Sequence, residues 1–169
     1  SYLSINGKIQ SQIYTYYNFD NGSGQVREIP AYCVNPNQYG VPQTVEVGES
    51  IEYLADEKAS DPKVLGIVAN GYPTRSLQEL GLENKYLGYY ATKMALWCYL
   101  ISDWDINNLK VNPNLSGVEL TRAQKVLAAA KDIYARGTAW NEALSPEITC
   151  TPDRDTAYLV TVDGKQYKQ

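Results

Sequence analysis

The side chains best suited to covalent chemistry in this 169-residue chain are three cysteines, Cys33, Cys98 and Cys150. The sequence contains no histidine, which is the usual base for a cysteine or serine nucleophile and a common zinc ligand. Composition therefore argues against Cys-His catalysis, Ser-His catalysis and His-ligated zinc. The sequence also has no CxxC pair that could bind a metal and no glycine-rich loop that could bind a phosphate. We therefore expect no metal and no cofactor.

Two short motifs give Cys33 a chemical context that the other cysteines lack. The first, Tyr32-Cys33-Val34, lies in a predicted strand from Gln25 to Val34. The second, Thr92-Lys93-Met94-Ala95-Leu96-Trp97, lies in a predicted helix from about Asn84 to Ser102. Helical spacing places Trp97 on the same face as Lys93, with Tyr89 and Tyr90 one turn earlier. We expect these rings to surround the lysine and hold its ammonium by cation-π contact.

In this order, the two motifs resemble those of the thioester domains of Gram-positive surface adhesins and pilus-tip proteins. In that family an aromatic-Cys-apolar strand motif precedes a Thr-Gln-x-Ala-apolar-Trp helix motif. The chain matches the first motif, and it matches the second at every defined position except the glutamine, which is Lys93. The segment from Gly66 to Pro73 and Ala91 are also similar, so the resemblance covers at least residues 32 to 105.

The resemblance implies single-use covalent chemistry, with no turnover and hence no enzyme. In the family the cysteine thiol displaces ammonia from the glutamine amide, and a host amine then attacks the resulting thioester. The expected partner is a host cell-surface or extracellular-matrix protein. The expected setting is an extracellular, cell-wall-anchored surface protein, of which this chain would be one monomeric domain. The site residues implied are the Cys33 thiol and Lys93, surrounded by Tyr32, Thr92, Trp97, Tyr89 and Tyr90.

Lys93 breaks the family's scheme because a lysine side chain has no acyl carbon for sulfur to bond. We therefore expect no thioester between Cys33 and Lys93. Two alternatives remain at this stage. In the first, the ammonium pairs with the Cys33 sulfur and favours the thiolate. In the second, the two side chains are covalently linked by oxidation.

Overall composition supports a recognition protein and argues against two other classes. The chain has 15 tyrosines and one phenylalanine, which also suits a non-covalent protein-binding or glycan-binding module. Net charge is -4 and no basic stripe is present, so nucleic acid is not an expected partner. No apolar run approaches the roughly 20 residues that span a bilayer, so we expect no membrane insertion by this fragment.

The hydrophobic pattern predicts an α+β fold with a sheet or barrel-like part. A helical insertion is expected at about residues 60–145, and residues 1–169 are expected to form a single domain. Ser116 and Glu119 have the spacing of a capping box, and Gly137 is a candidate helix stop. Cys98 and Cys150 are predicted to be core residues, with a disulfide between them as the alternative. Strands are expected at 2–19, 25–34, 148–151, 157–162 and 165–168, a short strand or turn at 45–51, and helices at 61–69, 74–80, 84–102 and 116–137.

Overall fold

The computed structural model describes residues 1–20, 22–36, 57–140, 149–152, 158–162 and 165–168. Contacts group the chain into two compact units, Ser1–Ala139 and Trp140–Gln169. The architecture is mixed α+β, which confirms the predicted class. The assignment of all 169 residues to one domain stays a prediction.

Three α-helices build the core of the first unit. They are α1 (Pro62–Ala69), α2 (Lys85–Leu100) and α3 (Gly117–Thr138), and α3 packs against both of the others. Short 3₁₀ turns occupy Glu57–Ser60 and Ile106–Asn108. Apolar side chains from all three helices are fully buried where they meet, and removal of this surface from water is the main force that holds the unit together. The fully buried residues include Ile67, Met94, Leu96, Val126 and Ile133.

The N-termini of α1 and α2 follow from their capping residues. The Asp61 carboxylate accepts a hydrogen bond from the Lys63 N–H at 2.8 Å. The Asn84 side chain accepts from the N–H groups of Tyr86 and Leu87, each at 3.1 Å. These bonds satisfy donors that have no partner within the helix. Both helices begin as the sequence predicts.

The predicted capping box of α3 is not formed. Ser116 precedes the helix, but its side chain makes no capping hydrogen bond. The Glu119 carboxylate instead accepts a hydrogen bond from the Arg122 guanidinium at 2.6 Å. Arg122, on the same helix, therefore binds the carboxylate that the capping box would have used.

Gly137 lies in the last turn of α3, which ends one residue later, at Thr138. A Cβ atom at this position would lie 2.4 Å from the Ile67 Cα, so no larger side chain fits without moving the backbone. Glycine here permits α1 and α3 to approach closely. The glycine therefore lies within one residue of the predicted helix end and also makes a packing contact that the sequence did not indicate.

Five short strands lie in the described part of the first unit. β1 (Leu3–Ile5) lies between β2 (Lys8–Ile9) and β5 (Lys110–Val111) in an antiparallel sheet. β3 (Tyr16–Asp20) and β4 (Val26–Pro30) form the predicted hairpin. β1 is buried throughout and packs on the helical core.

Two predicted elements in this unit are wrong in part. β4 ends at Pro30, so Cys33 lies beyond the strand that was predicted to carry it. Pro30 has no N–H to donate to the ladder, which favours the end of pairing there. Residues 74–80 form turns in place of the predicted short helix. There the Glu79 carboxylate accepts from both the N–H and the hydroxyl of Ser76, each at 2.7 Å.

The second unit is a three-stranded antiparallel sheet in the order β6-β7-β8. Its strands are β6 (Thr149–Pro152), β7 (Tyr158–Val162) and β8 (Lys165–Lys168), close to the predicted positions. The turn at 163–164, the short strand or turn predicted at 45–51 and the side chain of Cys150 lie outside the described residues. Cys98 is a buried free thiol, so it does not form the disulfide considered above.

Candidate functional site

Helix α2 places Lys93 in the interior of the first unit. Residues 87–96 of this helix are all buried, and Lys93 is only 3% exposed. It is the only charged side chain among the buried residues that the structure describes. Burying a lysine is costly, because the ammonium loses its water. The contacts that replace this water therefore define the site.

The Lys93 ammonium is held by one backbone carbonyl and two aromatic rings. Its Nζ donates a hydrogen bond to the Ser11 carbonyl oxygen at 2.9 Å. The same atom lies 4.9 Å from the centroid of the Trp97 ring and 5.5 Å from that of Tyr90. Both distances suit cation-π attraction. The structure thus places the Trp97 and Tyr90 rings around the lysine, as their helical spacing predicts, whereas the Tyr89 ring stacks on Tyr32.

Cys33 contacts Trp97 through its backbone. The Cys33 carbonyl oxygen accepts a hydrogen bond from the Trp97 Nε1 at 3.1 Å, and the Cys33 residue is exposed. Because Trp97 contacts the ammonium through its ring face and Cys33 through its N–H, it joins the two motifs. The Lys93 ammonium also interacts electrostatically with the Cys33 sulfur. The fold therefore brings the two sequence motifs together.

The surroundings of Lys93 shift its protonation. Burial lowers the pKa of the Lys93 ammonium to about 8, and the negative charge of a Cys33 thiolate opposes that shift in part. Among the residues described here, no carboxylate forms an ion pair with Lys93. At this pKa an appreciable fraction of the side chain is a neutral amine near neutral pH. A neutral amine is nucleophilic, whereas an ammonium is not.

Tyr32 and Tyr89 fix the Cys33 segment against α2. Their rings are stacked with centroids 4.7 Å apart and an interplanar angle of 10°. The Tyr89 hydroxyl donates to the Ala31 carbonyl at 2.8 Å, and the Tyr32 hydroxyl donates to the Tyr72 carbonyl. Burial raises the pKa of both tyrosines, so their hydroxyls stay protonated and able to donate. The two residues before Cys33, Ala31 and Tyr32, are thus held against α2 and the turn at Tyr72.

Thr92 connects α2 to the turn at Gly71 and Tyr72. Its hydroxyl donates to the Gly88 carbonyl at 2.9 Å and accepts from the Tyr72 N–H at 2.9 Å. A Cβ atom on Gly71 would lie 2.3 Å from the Thr92 Cγ2, so this turn requires glycine. Thr92 therefore positions the turn whose carbonyl holds Tyr32.

Sequence reasoning missed Ser11 and Tyr14. Ser11 acts through its backbone carbonyl, which every residue has, so no residue type could have marked it. Tyr14 packs edge-on against Tyr89 with ring centroids 4.9 Å apart, and its hydroxyl donates to the Glu28 carboxylate at 2.7 Å. The dense group of tyrosines at positions 14, 16 and 17 was the available signal.

The described part of the chain has neither a metal-binding cluster nor a membrane-spanning helix. Within it, no group of three or more His, Cys, Asp or Glu residues is arranged to hold a metal ion. None of the helices described is both long and apolar enough to cross a membrane.

The fold and this pair of motifs define a class of protein. A family model described as "Thioester domain" matches residues 30–139, which include Cys33, Lys93 and all three α-helices. The match covers more than half of the chain. The chain belongs to the thioester domain family.

Two solved structures are similar in fold. The thioester domain of the Enterococcus faecium TIE86 protein is 18% identical with a TM-score of 0.49, over 98% of this chain and 60% of that one. The Bacillus anthracis TIE protein is 15% identical with a TM-score of 0.50, over 95% of this chain and 29% of that one. This chain therefore spans less than two thirds of either. No curated protein matches.

Proposed function

We propose that this chain is an attachment domain of an extracellular, cell-wall-anchored bacterial surface protein, and that it binds a host cell-surface or matrix protein without forming an internal thioester. Membership of the thioester domain family supports the proposed role as an attachment domain of a surface protein. The observation that carries the chemical part of the proposal is the position of Lys93. This amine faces the Cys33 segment across Trp97, at the place where the sequence motif has glutamine.

A lysine cannot replace the glutamine in the family's reaction. Thioester formation needs a side-chain carbonyl carbon for the thiolate to attack and an amine to leave. Lys93 ends in a nitrogen on a methylene group, so it offers no such carbon. Its ammonium is also engaged by the Ser11 carbonyl and two rings. The proposed attachment is therefore not the acyl transfer of the family, and no turnover is proposed.

Non-covalent recognition through a tyrosine-rich surface is the second candidate, and exposed aromatic rings favour it. Tyr16, Tyr17 and Phe19 on β3 and Tyr86 at the start of α2 are each between 45% and 51% exposed. Tyrosine is common at protein interfaces, because its ring supplies contact area and its hydroxyl a hydrogen bond. Such a surface suits a protein or a glycan. Contacts of this kind would leave attachment reversible.

The proposed chemistry is tested by restoring the glutamine. In intact-mass measurements, Lys93→Gln should be lighter than its sequence mass by one ammonia, and it should take up methylamine. The unsubstituted protein should do neither, because it has no acyl group at this position. The control is the double variant Cys33→Ala, Lys93→Gln, which keeps the glutamine and lacks the thiol. Loss of ammonia from the unsubstituted protein would contradict the proposal.

The same two proteins test the mode of attachment. Each is incubated with immobilised host matrix proteins or host cells and then boiled in detergent. We expect the unsubstituted chain to bind and be released completely, whereas Lys93→Gln should leave a covalently attached fraction. Detergent-resistant complexes of the unsubstituted chain would overturn the reversible mode. Failure of either protein to bind any host surface would overturn the attachment role itself.

A further inference from the structure

Tyr14 lies at the centre of a cluster of five tyrosine rings. Its ring contacts three others, with centroid separations of 5.5 Å to Tyr16, 5.3 Å to Tyr86 and 4.9 Å to Tyr89. Tyr89 in turn stacks on Tyr32 with centroids 4.7 Å apart. Tyr16 and Tyr86 are about half exposed, whereas Tyr89 is buried. The ring cluster therefore extends by direct contacts from the protein surface into the interior.

The hydroxyls of these rings differ in the group that accepts their proton. The Tyr89 and Tyr32 hydroxyls donate to backbone carbonyls. The Tyr14 hydroxyl donates to the Glu28 carboxylate at 2.7 Å. In the described part of the chain, Tyr14 alone among the five rings is bonded to a carboxylate. An ionised carboxylate is a far stronger base than a backbone carbonyl, so Tyr14 is the ring whose proton has a place to go.

We propose that Tyr14 is a redox-active tyrosine, on which one-electron oxidation of the ring cluster settles because Glu28 accepts the phenolic proton. The oxidant is a one-electron acceptor from solution, which meets the exposed rings of Tyr16 and Tyr86 first. This activity does not rest on the proposed host attachment.

The step couples the loss of an electron to the transfer of a proton. The oxidant takes one electron from the ring cluster and is itself reduced by one electron. The phenolic proton of Tyr14 moves along the existing hydrogen bond to the Glu28 carboxylate. The products are a neutral tyrosyl radical and a neutral glutamic acid. A one-electron donor from solution reverses the step, and the proton then returns from Glu28 to the Tyr14 oxygen.

Oxidation of a buried ring in the cluster is less favourable than oxidation of Tyr14. If Tyr89 loses an electron, its proton has no strong base to move to, so a positive charge remains on a side chain that is only 2% exposed. An uncompensated buried charge is costly. At Tyr14 the proton leaves the ring with the electron, so no such charge remains. Because neighbouring rings are in contact, an electron can pass between them and the vacancy reaches Tyr14.

Lys85 opposes this oxidation. Its ammonium bonds to the same Glu28 oxygen at 2.6 Å and lies 5.4 Å from the centroid of the Tyr14 ring. The hydrogen bond from Lys85 holds the pKa of the Glu28 carboxyl below its usual range, which makes the carboxylate a weaker base. A positive charge beside the ring also disfavours the loss of an electron from it. Removal of the Lys85 charge should therefore make Tyr14 easier to oxidise.

The test oxidises the folded protein with a ruthenium(III) tris-bipyridine complex that is generated by a light flash. Transient absorption measures the yield of the tyrosyl radical and the rate at which it forms. Tyr14→Phe should lose most of the yield, and Lys85→Met should accelerate radical formation. Glu28→Gln keeps a hydrogen-bond acceptor but not the base, so radical formation should slow by at least about tenfold and no longer depend on whether the solvent is deuterated.

Two control variants each remove one feature that Tyr14 combines. Tyr17→Phe alters a ring that is 51% exposed, and Tyr99→Phe removes a hydroxyl that donates to the Asp61 carboxylate at 2.8 Å. Within the described residues, neither tyrosine takes part in a ring contact. Both variants should keep most of the radical yield, and circular dichroism checks that every variant is folded.

Three results would overturn the inference. The first is the absence of a tyrosyl radical in the unsubstituted protein. The second is a loss of yield in Tyr99→Phe or Tyr17→Phe as large as that in Tyr14→Phe. The third is an unchanged rate of radical formation in Glu28→Gln, which would show that the carboxylate does not accept the proton.

Discussion

At the level of single residues, the buried amine is the feature that sets this chain apart from the motif it otherwise matches. Thr92, Ala95 and Trp97 keep the types that the motif requires, and Lys93 alone departs from it. The fold accommodates the change by giving the ammonium the Ser11 carbonyl and two rings from α2. These contacts offset part of the free energy that the ammonium loses when it is removed from water. The part that they do not offset appears as the lowered pKa of Lys93.

The first prediction concerns the pH dependence of stability. The pKa of Lys93 is about 8 in the folded protein, against about 10.4 for an unfolded lysine. Below pH 8 both states carry the proton, and burial of the charge costs roughly 3 kcal/mol. Between pH 8 and 10.4 the unfolded state binds more protons than the folded state, so stability rises with pH.

Lys93→Met removes this titration while it keeps a side chain of similar length. In urea unfolding, the free-energy advantage of methionine over lysine should shrink by about 2 kcal/mol between pH 7 and pH 9.5. A Cys33→Ser background removes the thiol, whose charge also interacts with Lys93. Lys131→Met on the exposed face of α3 is the control, and its effect should not change over this range. If the difference in unfolding free energy between Lys93→Met and the unsubstituted protein did not change with pH, burial would not lower the pKa of Lys93.

At the level of elements, α2 contacts every part of the site. It supplies Lys93, Trp97 and Tyr90 directly, and its Thr92 and Tyr89 hold the turn and the Cys33 segment. Much of the precision of the site therefore depends on how firmly this helix begins and packs. Asn84 fixes the first turn through two hydrogen bonds.

The second prediction compares two helix N-termini. Asn84→Ala should lower the free energy of unfolding by about 1 kcal/mol, because two N–H groups of α2 lose their acceptor. Ser116→Ala is the matched control at α3, where the side chain makes no capping bond, and it should cost less than about 0.5 kcal/mol. Chemical denaturation of both variants measures the difference. Equal losses would mean that the described caps do not govern helix stability.

At the level of the whole molecule, long-range hydrogen bonds tie the N-terminal segment to α2. The Tyr90 hydroxyl donates to the Gln10 carbonyl at 2.8 Å and accepts from the Leu3 N–H at 3.3 Å. The neighbouring Ser11 carbonyl holds the Lys93 ammonium. One buried tyrosine thus links β1, the segment after β2 and the candidate site.

The third prediction tests this link. Tyr90→Phe keeps the ring and leaves two buried backbone groups without a partner, so it should lower the free energy of unfolding by about 1–3 kcal/mol. Tyr86→Phe is the control, because that residue is 49% exposed, and its effect should stay within about 0.5 kcal/mol. Thermal and urea unfolding report both. A loss at Tyr90 no larger than that at Tyr86 would contradict the proposed tie.

The sequence determined the elements with strong local signals. The proline after Asp61 and the apolar spacing of residues 87–100 and 118–134 located the three helices, and the turn residues at 20–24 located the β3–β4 hairpin. The order of the cysteine motif and the lysine motif placed the chain in its family. The absence of histidine argued against Cys-His catalysis, Ser-His catalysis and His-ligated zinc. These are properties of neighbouring residues, which the sequence displays directly.

Tertiary structure alone decided the features that arise between distant segments. One of these features is the burial of Lys93. The bond from Lys93 to the Ser11 carbonyl and the bond from Trp97 to the Cys33 carbonyl each join residues 64 or more positions apart. Gly137 had the same local signal as a helix stop, and only the approach of Ile67 shows why it lies within α3. Local patterns set which elements form, whereas packing between them sets which side chains lose water, and that loss gives this site its chemistry.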